Sequence, residues 1–105
     1  MNTFQVGDLV FDIDEDGFIQ QPERWNHDVA AALARTEGVE QLTEEHWRVL
    51  NYLRQYYVDY GSAPTIRKLV KKSRVKLKRI FELFPSGPAM GACKVAGLPR
   101  PTGCV

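Results

Sequence analysis

The stretch "TEEHWRVLNYLRQYYVDYG", residues 43–61, constrains the fold more than any other part of this chain. Trp47, Leu50, Leu53, Tyr57 and Tyr60 recur at steps of three and four residues, which lines one apolar stripe along a helix. Thr43 is a residue type that caps a helix start, and Glu44 and Glu45 follow it at the positive end of the helix dipole. Gly61 is the residue type that ends one. With 105 residues in all, there is room for a single modest core around this helix and not for two.

What surrounds the helix is short and mixed. "TFQVGDLVFDIDEDGFIQ" places Phe4, Val6, Leu9, Phe11 and Ile13 near period two, with Gly7-Asp8 and Asp16-Gly17 where turns are needed. That predicts a β-hairpin, with Phe18 and Ile19 as a third short stretch, and a hairpin of this size must pack on helices to persist. "PERWNHDVAAALARTEG" predicts one helix opened by Pro22 and stopped by Gly38. Further on, the pattern predicts a helix over Thr65–Lys72 with Ile66, Leu69 and Val70 inward, and a tight turn at Ser73-Arg74. A helix over Lys76–Phe84 follows, with Leu77, Ile80, Phe81 and Phe84 inward. Pro85-Ser86-Gly87 breaks the chain, and "PAMGACKVA" makes a last short helix ended by Gly97. The expected fold is mostly α: a small orthogonal helical bundle with an N-terminal β-hairpin, divided into a body over 1–96 and a flexible C-terminal arm over 97–105.

Composition narrows the class. A hydrophobic fraction of 44% and a charged fraction of 26% are those of an ordinary soluble globular protein. No apolar run approaches the length of a membrane span, and the N-terminus lacks the pattern of a signal peptide, so a cytoplasmic, reducing setting is expected. The net charge of +1 hides an asymmetry: residues 1–59 hold 12 acidic and 4 basic side chains, residues 60–105 hold 1 acidic and 10 basic. Such a split marks an electrostatic face for an anionic partner.

The basic residues Arg67, Lys68, Lys71, Lys72, Arg74, Lys76, Lys78 and Arg79 cluster around the predicted helix–turn–helix. In DNA readers of that shape the second helix enters the major groove and cations neutralise phosphates. Asn and Gln, the side chains that read adenine edges, are missing from Lys76–Phe84. A DNA-binding regulator, a plain solvated face and a docking surface for a protein partner are the three readings of this region.

The two cysteines carry the chemistry. Two Cys and two His without a C-x-x-C do not make a structural zinc site, and His27 and His46, on predicted helices away from the tail, read as surface or boundary side chains. A cysteine hydrolase needs its nucleophile fixed beside a base, which a thiol one residue from the end of "GLPRPTGCV" does not have. Ten residues separate Cys93 from Cys104, and a disulfide across that loop would restrict the unfolded chain by roughly 3 kcal/mol. Gly97 is expected to act as a hinge. Pro99 and Pro101 bias the arm toward extended geometry with a reach of about 20 Å. Extended, such an arm can present Cys104 to a partner; retracted, it can bring a Cys104 persulfide to the Cys93 thiolate, with Lys94 and Arg100 expected to favour thiolate.

"ELFPSGPAMGACKVAGLPRPTGCV" closely resembles the C-terminus of the DsrC/TusE family of sulfur-relay proteins, and "DEDGF", "LTEEHWRVLNYLRQYY" and "GSAPTIRKLVKK" extend the likeness along the chain. The resemblance implies that Cys104 carries sulfur as a persulfide or trisulfide and that Cys93 is the second redox-active cysteine. Keeping both cysteines is similar to the DsrC type, the gamma subunit of dissimilatory sulfite reductase. TusE-type members, which relay persulfide sulfur toward tRNA thiouridine synthesis, keep only the penultimate one. The DsrC likeness implies a protein co-substrate, not a catalyst alone, that binds no cofactor itself. The implied partners are the sulfite reductase catalytic subunits, with their siroheme and iron–sulfur clusters, and a membrane-bound reductase complex that regenerates the dithiol. Sulfurtransferases are implied partners in sulfur oxidisers, and DNA is a secondary one. The compact "KKSRVKLKRIFELFP" lacks the insertion common in oxidiser-type members and so resembles the sulfite-reducing type.

Overall fold

Alternating apolar residues open the chain as two antiparallel strands, β1 (Asn2–Val6) and β2 (Leu9–Ile13), in a computed structural model that describes residues 2–101. Their register pairs Phe4 with Phe11 and Val6 with Leu9, leaving Gly7-Asp8 as the turn, with Gly7 at φ 58°. The "DEDGF" segment then folds on one side chain: Asp14 Oδ1 accepts from the backbone N–H groups of Asp16 and Phe18, both at 2.9 Å. This reverses the chain so that Ile19 bridges back to Ile13, and Phe18 and Ile19 enter the core beside Phe11.

The helix expected to run on from Pro22 is two elements. Pro22–Arg24 forms a single 3-10 turn, Trp25 is extended, and α1 begins only at His27 and runs to Thr36. The reason is Asn26, whose side chain accepts from the Val29 N–H and caps a new start. The central helix α2, Glu44–Tyr60, starts at Thr43 and stops at Gly61, as its sequence predicts. Its inward face is His46, Val49, Leu50 and Leu53, rotated from the expected stripe, and Tyr60 is 69% exposed. Helix α3 covers Ile66–Ser73 and α4 covers Leu77–Leu83. Arg74 takes the left-handed conformation (φ 61°) between them. Of the inward residues expected in α4, Ile80 and Phe84 are buried, but Leu77 and Phe81 face outward and Leu83 is buried instead.

The C-terminal third completes the core. Pro88–Cys93 is a π-helical segment, and from Gly91 to Leu98 every residue is buried. Gly97, at φ 72°, ends this helix with both hydrogen bonds of a Schellman turn: its N–H reaches Lys94 O at 3.0 Å, and the Leu98 N–H reaches Cys93 O at 3.1 Å. The expectation of a free hinge at Gly97 is therefore corrected. Leu98 is a fully buried core residue, and exposure begins at Pro99. No described helix is long and apolar enough to cross a membrane.

Candidate functional site

The site is built on the end of the last helix and has three layers. At its centre, Cys93 is a free thiol only 3% exposed. It faces a small apolar recess of about 10 Å³ lined with Leu53 of α2, Pro64, Ile66 and Leu69 at the start of α3, and Pro88 and Ala89. Burial without a compensating cation disfavours the charged form, and it pushes the Cys93 thiol up to about 12. Cys104, the other cysteine of interest, lies outside the described residues.

The second layer is ionic. Lys94 Nζ donates to Oε2 of Glu37, the residue just past the end of α1, at 2.9 Å, with both side chains about nine-tenths buried, and it lies 5.6 Å from the Phe18 ring centroid. Arg100 Nη1 lies 2.7 Å from Asp16 Oδ2, an ion pair by distance whose angles are not those of a hydrogen bond. Neither cation is directed at Cys93: Lys94 is committed to Glu37 and Arg100 to Asp16 in the "DEDG" loop, while Cys104, beside which they are also expected to favour thiolate, lies outside the described residues. Their role here is to tie the C-terminal segment to the N-terminal half.

The third layer satisfies the helix end. A helix leaves its last carbonyls without intrahelical partners. Here the Trp25 indole N–H donates to Val95 O at 2.9 Å, and Arg54 Nη1 donates to Ala96 O at 3.2 Å and Gly97 O at 3.5 Å. Arg54 Nη2 also donates to Pro22 O at 2.6 Å, while its guanidinium sits 4.7 Å from the Trp25 ring centroid. Trp25, Arg54, Glu37 and Asp16 were not among the expected site residues. The available signal was Arg54 itself, four residues after Leu50 and beside Leu53, an arginine at the edge of an inward helix face.

A separate face carries the other expected residues. Arg67, Lys68, Lys71, Lys72, Arg74, Lys76 and Lys78 are all exposed on and between α3 and α4, and none forms an ion pair among the described residues. Lys68 rests 5.5 Å from the Tyr56 ring centroid. Arg79 is removed from this set by Glu45, at 2.7 Å, and Glu82, at 3.2 Å. The outward face of α4 also shows Leu77 and Phe81, so it presents apolar surface among its charges. Among the described residues, no cluster of three or more His, Cys, Asp or Glu is placed to hold a metal ion. His46 departs from the surface or boundary position expected of it. It is buried, with Nε2 donating to Leu83 O at 2.9 Å and Nδ1 accepting from the Thr43 N–H at 3.0 Å, so it joins the start of α2 to the end of α4.

With this geometry in place, similarity to known proteins becomes specific. Residues 5–105 match the family model described as DsrC like protein. The chain is 44% identical over 95 residues to the dissimilatory-type sulfite reductase subunit gamma of Nitratidesulfovibrio vulgaris, covering 90% of each chain. It is 38% identical over 107 residues to the sulfurtransferase TusE homolog of Haemophilus influenzae, covering 95% of this chain and 97% of that one. The crystal structure of the oxidized gamma subunit of dissimilatory sulfite reductase from Archaeoglobus fulgidus superposes with a TM-score of 0.88 at 46% identity, over 99% of this chain and all of that one.

Proposed function

This chain belongs to the DsrC-like protein family, and from that premise we propose that it is a sulfur carrier and a protein co-substrate of dissimilatory sulfite reductase. In this reading Cys104 bears the sulfur and Cys93 resolves it. The observation that carries the proposal is the match to the sulfite reductase gamma subunit over nine-tenths of both chains, in a sequence with both cysteines inside the family span. The resolving step balances as a thiol exchange: the Cys93 thiol attacks the inner sulfur of a Cys104 persulfide, forming a disulfide and releasing the outer sulfur as hydrosulfide. The exposed cations from Arg67 to Lys78 form the docking face for an acidic surface of the reductase. The siroheme and iron–sulfur clusters belong to that partner.

One observation favours a second reading. Cys93 is buried and its thiol is pushed up to about 12, so the state described offers no thiolate there. A relay of the TusE kind, passing persulfide sulfur through Cys104 alone, does not need one. Intact-protein mass separates the two after the reduced chain is incubated with dissimilatory sulfite reductase, sulfite and a limiting electron donor. In the wild-type chain the resolving step leaves the Cys93–Cys104 disulfide, two hydrogens lighter than the dithiol; a Cys104 persulfide, one sulfur heavier, that accumulates when Cys93→Ala blocks resolution and is missing in Cys104→Ala supports the two-cysteine carrier. An added sulfur that accumulates equally in the wild type and in Cys93→Ala, with no disulfide formed, supports the single-cysteine relay, and neither added sulfur nor disulfide from the reductase or from a persulfide donor sinks both.

A further inference from the structure

We propose that Arg54 and Trp25 are positioning residues for the C-terminal segment: together they clamp the carbonyls of residues 95–97 and fix where the chain leaves the body on its way to Cys104. The reading deepens the carrier proposal and rests on it for its purpose, since a carrier gains from holding its two thiols at a defined approach.

Three carbonyls at the helix end, those of Val95, Ala96 and Gly97, face three side-chain N–H donations from residues about 40 and 70 positions earlier in the chain. The donors hold one another. The guanidinium lies over the Trp25 indole at 4.7 Å and within 5.7 Å of the Tyr57 ring, and its second nitrogen is bound to Pro22 O. A cation at a helix C-terminus also interacts favourably with the helix dipole. The ring of Trp25 packs so closely on Gly97 that a side chain added there would run into it. At this one point the chain therefore has its direction set by the Schellman turn, its carbonyls bound and its Cα covered. Arginine suits the task because its planar fork divides the work, Nη1 meeting the Ala96 and Gly97 carbonyls while Nη2 holds Pro22 O, which a lysine ammonium does not do from a fixed geometry.

The clamp acts on the thiols through proximity. Tethering one thiol to a fixed exit confines it to a smaller volume around the other, and loosening the root dilutes it. The readout is the equilibrium of the full-length chain with glutathione. The Cys93 and Cys104 thiols give up two hydrogens, one sulfur–sulfur bond forms between them, and one glutathione disulfide becomes two glutathione thiols. In Arg54→Met the equilibrium constant for the internal disulfide should fall about fivefold, a shift of about 20 mV. Arg54→Lys should recover part of the loss. Trp25→Phe, which removes one N–H and keeps an aromatic ring, should lower the constant in the same direction and serves where Arg54→Met fails to fold. Val29→Ala, a core change away from the helix end, is the control: it should lower the urea midpoint and leave the potential where it was.

Folded Arg54 and Trp25 variants whose constants stay within twofold of the wild-type value, or rise, overturn the clamp. So does a wild-type chain that forms no internal disulfide with excess glutathione disulfide. The outcome is separable from the carrier reading: a shifted potential in a chain that never accepts sulfur supports the clamp and overturns the carrier.

Discussion

Cys93 should be chemically silent in the native state, by a margin the structure allows to be worked out. An unperturbed thiol ionises near 8.5, so at pH 8 roughly a quarter of it is thiolate. With the thiol pushed up to about 12, the fraction is about one in ten thousand, so ionisation alone slows alkylation by roughly three orders of magnitude. Enclosure by Leu53, Ile66 and Leu69 adds steric protection on top of that. The assay is iodoacetamide modification followed by peptide mass mapping, in Cys104→Ser so that Cys93 is the single thiol, compared between buffer and 6–8 M urea (a range chosen to unfold an ordinary small domain, about its usual limit). Leu69→Ala, which opens the wall of the recess while the fold persists, should return a measurable part of the lost rate. The same shift has a thermodynamic face. The native state holds its proton while the unfolded thiol loses it above about 8.5, so stability should be fully present below that pH. It should then fall by up to about 1.4 kcal/mol per pH unit between there and 12. Native Cys93 that alkylates within tenfold of the unfolded rate would refute the reasoning.

Four further outcomes follow from the same packing. Gly97→Ala combines a left-handed backbone with a clash against Trp25 and should cost about 2–4 kcal/mol in urea unfolding, against about 1–2 kcal/mol for Gly61→Ala, where the backbone is left-handed but the space around it is open. Glu37→Ala strands the Lys94 ammonium in the core and should cost about 3 kcal/mol, whereas the double change Glu37→Met with Lys94→Met should recover most of it, as calorimetry of the single and double variants can show. His46 is held below its usual range by burial, so the unfolded chain takes up a proton that the native chain excludes. Stability should therefore fall as pH drops below about 6.5, and the drop between pH 7 and 5 should shrink in His46→Gln, followed by urea midpoint. Arg74→Gly relieves a left-handed non-glycine and should raise stability by about 0.5–1 kcal/mol, while weakening association with the reductase, measured by titration calorimetry at two salt concentrations.

Local chemistry was legible in the sequence, and long-range chemistry was not. Thr43 and Gly61 bound α2 because a cap and a left-handed stop act within a few residues, and the hairpin follows from alternation and two turn glycines. The break at Trp25-Asn26 was hidden because Pro22 is itself a good helix opener, and only the Asn26 side chain shows that the helix starts again. On α4, seven residues are too few for a period to say which apolar side chains face in, so Leu77 and Phe81 were placed on the wrong side. The pairing of Cys93 with Cys104 is proposed from spacing and from a specific family likeness, and of the two only Cys93 is among the described residues. What surrounds Cys93 was not legible: Glu37, Arg54 and Trp25 reach the last helix from 40 to 70 residues away, and their pairing exists only once the fold is closed. Lys94 illustrates the difference, since a lysine next to a cysteine in sequence points in this fold to a carboxylate at the end of α1.

The central claim is that sulfur rides on Cys104. It is tested most directly by exposing the reduced chain to a persulfide donor, trapping the product with an alkylating agent and mapping the peptides by mass. The account predicts one added sulfur on the peptide that contains Cys104, absent in Cys104→Ala and accumulating most in Cys93→Ala, where nothing resolves it. Sulfur found first on Cys93, or an adduct that persists without Cys104, would contradict it.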